Sequence, residues 1–326
     1  MIAKERTIPL KIQVGEALKR RLPIRSLYRD ELQEELNRRW AGYWGEQAID
    51  HHLTLLDEKK YLIFHDLNLP WHGYTFQIDT ILLSTNFACI LEVKNIAGTL
   101  FFDQVFHQLI RTNFEGEEEG FADPICQAQH HQLQLNHFWN SHRLAQLPID
   151  FGVVMCNKRS ILRTNPGKES IFEKVFKAHH LLKYVQEMER TYTEEVLSQK
   201  ELAKIRRVLI KNNTPPRRLF MDKYLSSLKD IRSGVHCPNC FTIPMKRVNR
   251  KWHCTSCGVF SRDAHLETLR DYFLLVDSKI SNKSFREFMH LSSSYVSSRM
   301  LAETQFPSSG ATKDRIYYPP VDLYKG

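Results

Sequence analysis

Three residues on two neighbouring apolar runs have the types and spacing to do chemistry. Asp79 stands in Gln77-Ile78-Asp79-Thr80-Ile81-Leu82-Leu83. Glu92 and Lys94 stand in Ala88-Cys89-Ile90-Leu91-Glu92-Val93-Lys94-Asn95. Both runs read as strands, and alternation puts Glu92 and Lys94 on one face with Leu91 and Val93 on the other. A charge on a buried strand is costly unless it has a partner or a metal. Two converging strand carboxylates suit a hard divalent cation such as Mg²⁺ or Mn²⁺, which takes oxygen ligands and leaves room for water and phosphate. Such an ion makes water a better nucleophile and neutralises charge on a phosphoryl transition state, with Lys94 placed to position the water or stabilise that charge. The same three residues also fit a structural ion pair on an edge strand, with Asp79 a strand-end residue.

A second constellation is Cys237-Pro238-Asn239-Cys240 and Cys254-Thr255-Ser256-Cys257, the pattern C-x2-C-x13-C-x2-C. Four thiolates at this spacing suit tetrahedral Zn²⁺, and Phe241 to His253 is long enough for a hairpin between the two turns. All four positions are protein ligands, so the zinc is expected to be structural, holding together a domain with little core. Lys246, Arg247, Arg250 and Lys251 beside Trp252 suit phosphate contact and base stacking; the alternative is a solvated tip with Trp252 packed beneath it. Cys89, Cys126 and Cys156 are isolated and read as small core residues.

The elements that must position these groups follow from periodicity. Residues 28–56 read as a long helix through Leu32, Leu36, Trp40, Tyr43, Trp44 and Ala48. Strands are expected at 61–69, 74–84 and 88–96, with a further pair within 99–112, and the EGEEEG run at 115–120 as an acidic turn or loop. Asp123-Pro124 opens a helix to about Leu144. Strands at 150–156 and 175–178 precede helices at 180–190 and 194–211. The order predicts a mixed α/β sheet flanked by helices. Asn212 to Arg218 reads as a linker. Ser281 to Met289 and Tyr295 to Ala302 read as two short helices like a helix-turn-helix, with Thr312 to Pro319 as a wing. In such a unit Ser293, Ser294, Ser297, Ser298 and Arg299 would contact phosphates or bases, while an ordinary helical cap is the alternative.

The order Gly45-Glu46, Gln77-Ile78-Asp79 and Ile90-Leu91-Glu92-Val93-Lys94-Asn95, with Gly98 soon after, resembles the nuclease-related domain (NERD) family over roughly residues 37–160. That family looks like a branch of the PD-(D/E)xK nucleases. The resemblance implies a restriction-endonuclease-like mixed sheet, Asp79 and Glu92 as metal ligands, Lys94 as the catalytic lysine, and Glu46 as a further acid reaching the metal from the first core helix. Asp123-Pro124-Ile125-Cys126-Gln127 resembles the family's Pro-x-x-Gln helix start, which would bring Gln127 near the site. Helix-surface roles for Glu46 and Gln127 remain open. His130, His131 and His137 share the following helix and read as solvated or core residues.

The chain has 326 residues, 46 Lys or Arg and 37 Asp or Glu, a net charge of +9. From Lys200 to Arg262 fifteen Lys or Arg face three acids, a surplus that suits a polyanion such as nucleic acid. No apolar run approaches the ~18 residues of a membrane span. The charged N-terminus lacks a signal core and the cysteines are odd in number, so a reducing cytoplasm is expected. The parts expected are an extension over 1–36, a nuclease-like domain over 37–190, a basic helical linker over 191–232, a zinc ribbon over 233–261 and a helical tail over 262–326. The function expected is metal-dependent hydrolysis of nucleic acid, DNA before RNA. The alternatives are a non-catalytic nucleic-acid binder on a nuclease scaffold, or a module whose ribbon binds a protein. An oligomer or protein partner is left open.

Overall fold

The computed structural model describes residues 1–214, 230–311, 314–320 and 323. Most of the expected linker, and Thr312 and Lys313 of the expected wing, lie outside the described residues. The chain forms two compact units, one of Met1–Thr7 and Trp40–Pro216, the other of Ile8–Arg39 and Arg217–Gly326. In chain order the elements begin with β1 (Ile2–Lys4), α1 (Leu10–Arg21), α2 (Arg29–Ala48), α3 (Asp50–Leu53), β2 (Leu62–Trp71), β3 (Tyr74–Leu83), β4 (Ala88–Lys94), β5 (Gly98–Asp103), β6 (Gln108–Thr112) and β7 (Glu118–Ala122). They continue with α4 (Pro124–Ser141), β8 (Ile149–Met155), β9 (Ser160–Thr164), β10 (Val175–Lys177), α5 (Leu181–Thr191) and α6 (Gln199–Asn212). After these come β11 (Lys246–Val248), β12 (Lys251–His253), β13 (Phe260–Ser261), α7 (Ala264–Leu275), β14 (Ile280–Ser281), α8 (Asn282–Met289), α9 (Ser294–Glu303), β15 (Ser308–Ser309) and β16 (Ile316–Tyr317).

The first unit is a mixed α/β structure. Its larger sheet has the order β1-β2-β3-β4-β8-β10. The pairs β2–β3 and β3–β4 are antiparallel, and β1–β2, β4–β8 and β8–β10 are parallel. Parallel pairing of β4 with β8 demands a crossover, which α4 supplies. Ala88 and Ile90 of β4 pack with Leu135, Phe138 and Trp139 of α4, and Cys89, Leu91 and Val93 pack on the opposite side with Leu181, Val185 and Met188 of α5. Burial on both faces is why β4 reads as a continuous apolar run from Ala88 to Leu91. A second sheet, β7-β6-β5-β9, branches off after β4.

Three local expectations change. The long helix ends at Ala48, and Asp50–Leu53 form a separate turn. The acidic run is only half a loop, because Glu118–Ala122 pairs with β6 as an exposed edge strand. Edge position tolerates the charge, and Glu119 lies 3.4 Å from Arg111, its cross-strand neighbour. The N-terminal segment is structured, with Ile2–Lys4 joining the sheet beside β2.

In the second unit α1 packs against α7. Asp271 of α7 is wholly buried and accepts hydrogen bonds from Arg20 at 2.6 Å and Arg21 at 2.9 Å. Arg21 also donates to the carbonyls of Arg232 and Gly234. The helices α8 and α9 are capped by Ser281 and Ser293, whose hydroxyls accept from Ser284 N and Val296 N.

Candidate active site

The β3–β4 ladder stops at Thr80 and Leu91. Past that point the Asp79 carboxylate takes the place of a strand partner, accepting from Val93 N at 2.9 Å. One residue away, Glu92 is 1% exposed. Its Oε1 accepts from Lys94 Nζ at 2.8 Å, and Lys94 Nζ also donates to Gln127 Oε1 at 2.9 Å. Gln127 is there because Asp123 caps α4, accepting from Ile125 N at 2.8 Å with Pro124 at the first turn. One turn beyond Gln127, His131 Nδ1 stands 3.3 Å from Glu92 Oε2 but off hydrogen-bond geometry, so that oxygen is buried without a hydrogen bond. His131 was expected to be solvated or core. His130 and His137 are exposed, as a solvated face requires.

Glu46 reaches this region because α2 passes close to the end of β4. A Cβ on Gly45 would collide with the side chain of Asn95 and approach Cys156 Sγ to 3.0 Å. Asn95 donates to the Ala41 carbonyl at 2.7 Å and accepts from Asn157 at 2.9 Å, locking the joint. Gly98 has φ +110, and a Cβ there would stand 2.5 Å from the Thr112 carbonyl oxygen. Behind Glu46 sits Arg6, a residue the sequence reading passed over. Its side chain is buried and donates to Glu46 at 2.7 Å, Asp50 at 3.0 Å and Thr80 Oγ1 at 3.1 Å, with His65 Nδ1 at 2.8 Å. Alternation from Ile2 through Lys4 to Arg6 was the signal available.

Burial, and then the charge of Asp79, raises the pKa of Glu46, although Arg6 opposes this. Burial, and then the charge of Glu92, raises Asp79. Burial also pushes Glu92 upward, but His131 and Lys94 outweigh it and hold this carboxyl below its usual range. Asp66, between the paired positions His65–Thr80 and Leu67–Ile78, is buried with φ 53 and is likewise raised by burial. Glu46 and Asp79, raised by burial and by a neighbouring carboxylate, beside a buried Glu92 oxygen with no hydrogen bond, fit a hard divalent cation. The donors suited to it are Asp79 and Glu92. The ligand atoms of Glu46, Asp79 and Glu92 are not all within 4.8 Å of one another, Glu46 being held by Arg6.

The four cysteines do converge, with all four sulfurs within 4.8 Å of one another. The contacts Cys237–Cys257 at 3.6 Å and Cys240–Cys254 at 3.5 Å are far longer than the ~2.05 Å of a disulfide. The two turns repeat one geometry. Phe241 N and Gly258 N donate to the carbonyls of Cys237 and Cys254, and Cys237 N and Cys254 N donate to those of Thr242 and Val259. Phe241 and Gly258 both have positive φ. This is a four-cysteine cluster compatible with a zinc ribbon. A second grouping, His107, Asp123 and Cys126, also lies within 4.8 Å, but Asp123 is engaged as the α4 cap and accepts from the Cys126 thiol at 3.7 Å.

The expected nucleic-acid residues divide. Lys246, Arg250 and Lys251 are exposed on the ribbon hairpin, and Arg299 is half-buried, 3.4 Å from Glu303. Trp252 follows the alternative of a ring packed beneath the hairpin: it is 1% exposed, its indole N–H donates to His265 Nδ1 at 3.3 Å, and the Arg247 guanidinium lies over its ring, 5.0 Å from the centroid. A buried indole has no face to offer a base. Ser297 is buried too, with its hydroxyl on the Ser293 carbonyl.

Residues 41–156 match the family described as the nuclease-related domain. A stretch of 178 residues is 25% identical to an uncharacterized protein of Bacillus anthracis, covering 54% of this chain and 78% of that protein. No solved structure matches the chain. The matched segment contains Glu46, Asp79, Glu92, Lys94, Gln127 and His131.

Proposed function

With a nuclease-related domain at residues 41–156, we propose that this protein is a divalent-metal-dependent nuclease hydrolysing the phosphodiester bonds of DNA. The observation that carries the reading is the connected group Asp79, Glu92, Lys94 and Gln127 inside the matched segment, with one buried Glu92 oxygen left for a cation. Asp79 and Glu92 would hold Mg²⁺ or Mn²⁺. When bound, that ion lowers the pKa of water and offsets charge on the phosphate. Lys94, held between Glu92 and Gln127, is fixed with its ammonium beside the carboxylates, where it orients an attacking water and steadies charge on a phosphoryl oxygen. Gln127 positions Lys94. Glu46 supports from α2 once released from Arg6.

The four-cysteine cluster would hold structural Zn²⁺, which fits a reducing, cytoplasmic setting. The exposed basic residues of the ribbon hairpin would contact phosphates. No helix among the described residues is long and apolar enough to cross a membrane. The domain division proposed remains a nuclease-like region to about residue 190, a ribbon near 233–261 and a helical tail beyond it.

A second reading, a nucleic-acid binder on a nuclease scaffold, draws on the hold of Arg6 over Glu46. Incubating the purified protein with supercoiled, linear and single-stranded DNA and with RNA, in Mg²⁺, Mn²⁺ or EDTA, separates the two. Cleavage that needs the metal supports the enzyme. Salt-sensitive binding without cleavage under any condition supports the scaffold.

A further inference from the structure

We propose that the second unit carries a pocket for one nucleotide of a single strand, formed where α9 faces β16. The proposal rests on the reading of nucleic acid as the partner, and adds which form is recognised and by which residues. The cavity has a volume of about 380 Å³, and its lining includes Asn282, Tyr295, Ser298, Arg299, Arg315 and Tyr317. That is within the usual size of a small-ligand site.

Its chemistry is mixed in a particular way. Arg315 is exposed and has no acidic partner among the described residues. Arg299 lies 3.4 Å from Glu303, yet its Nε is buried without a hydrogen bond. Arg247 of the ribbon hairpin lies close enough for the Arg299 charge to act on it, and its Nη1 is likewise buried without a hydrogen bond. The two guanidiniums that line the cavity, Arg299 and Arg315, suit a phosphate, which accepts several N–H bonds in the fork geometry of arginine, with Arg247 adding charge from outside the lining. Tyr295 is 76% exposed at the mouth, and Tyr317 is buried in the wall. Ser298 Oγ accepts from Asn282 at 2.7 Å, which leaves the Ser298 hydroxyl hydrogen free to donate.

A phosphate site beside an exposed phenol ring is the combination that binds an unstacked nucleotide: arginine takes the backbone and the ring takes the base face. A duplex keeps its base faces stacked inside and offers none to Tyr295. The pocket therefore discriminates single strands or frayed ends from duplex.

The test uses full-length zinc-loaded protein without Mg²⁺ or Mn²⁺, and fluorescein-labelled (dT)12 against a 12-base-pair duplex, read by anisotropy. Tyr295→Ala is expected to weaken the single strand about tenfold and leave the duplex unchanged. An abasic strand should bind wild type about as weakly as (dT)12 binds that variant. Arg299→Gln with Arg315→Gln should weaken (dT)12 and flatten the slope of log affinity against log salt by about 0.7 per arginine. Arg270→Gln, on the surface of α7, is the control and should change neither. Zinc content and thermal melting confirm that each variant is folded.

Unchanged (dT)12 affinity in folded Tyr295→Ala or in the double arginine variant overturns the pocket, as does an equal loss in Arg270→Gln. Displacement of the strand by an equal nucleotide concentration of thymidine 5′-monophosphate also overturns strand recognition, in favour of a free nucleotide. Running Asp79→Asn in parallel separates this from the nuclease reading, because strand binding there must persist whether or not cleavage does.

Discussion

Gly45 carries no functional group, yet the position of Glu46 depends on it. Only a residue without Cβ lets α2 lie against Asn95 and Cys156. Gly45→Ala is therefore expected to destabilise the first unit by about 1–3 kcal/mol, measured by urea denaturation, because the overpacked joint must open. Activity should fall further than stability, since Glu46 moves with the helix. Strand alternation put Glu92 and Lys94 on one face and the apolar runs put Asp79 on the neighbouring strand, whereas Gln127 was placed beside them only by the resemblance of its helix start to the family's. Arg6, Asp66 and His131 were not placed at the site. Arg6 meets Glu46 and Thr80 across 40 and 74 residues of chain. Alternation from Ile2 through Lys4 tells which side Arg6 faces but not which distant residues it meets. His131 differs from His130 only in which side of α4 it lies on, and that side is set by the sheet beneath.

At the scale of elements, β2, β3, β4, α4 and β8 were legible because each carries a clear period and a punctuating Pro, Gly or cap. What was missed shares a physical cause: short edge strands and helices that gain their stability from distant partners. Helix α1 is the clearest case. Arg21 lies at its C-terminal end and is wholly buried against Asp271, 250 residues away in sequence. Burial lowers the Arg21 pKa and Asp271 opposes this, so the two depend on each other. Asp271→Ala leaves a buried guanidinium uncompensated and should cost the second unit about 3–5 kcal/mol. Arg21→Met with Asp271→Leu should recover much of that. If the single variant melts like wild type, the α1–α7 pair is not what holds that unit together.

Across the whole molecule the proposed metals differ between the two units, which should therefore respond differently to chelation. Stripping zinc with a strong chelator is expected to lower the thermal transition of the second unit while that of the first stays in place, because metal binding there is folding free energy. Both units share one acid liability. Burial holds His65 and His265 each down to about 4, so they are neutral in the fold but take up protons when unfolded. Their contribution is intact above the ordinary histidine pKa of ~6.5 and is lost as pH falls from there toward 4, a drop on the order of a few kcal/mol per group. The urea midpoint should therefore fall through that window. His265→Gln keeps an acceptor for the Trp252 N–H and should remove its own share of the second unit's part, leaving that of His236, which burial also holds down to about 4.

On the proposed function Asp79 serves cleavage rather than fold. The measurement is the rate of nicking of supercoiled DNA in Mg²⁺ by wild type and Asp79→Asn, with DNA affinity recorded for both. Asparagine can still accept the Val93 N–H, so the strand joint survives. Wild type is expected to nick, the variant to lose nicking by about a hundredfold or more, and affinity to stay unchanged. Equal nicking by the two proteins, or none by either with binding intact, would contradict the proposed function.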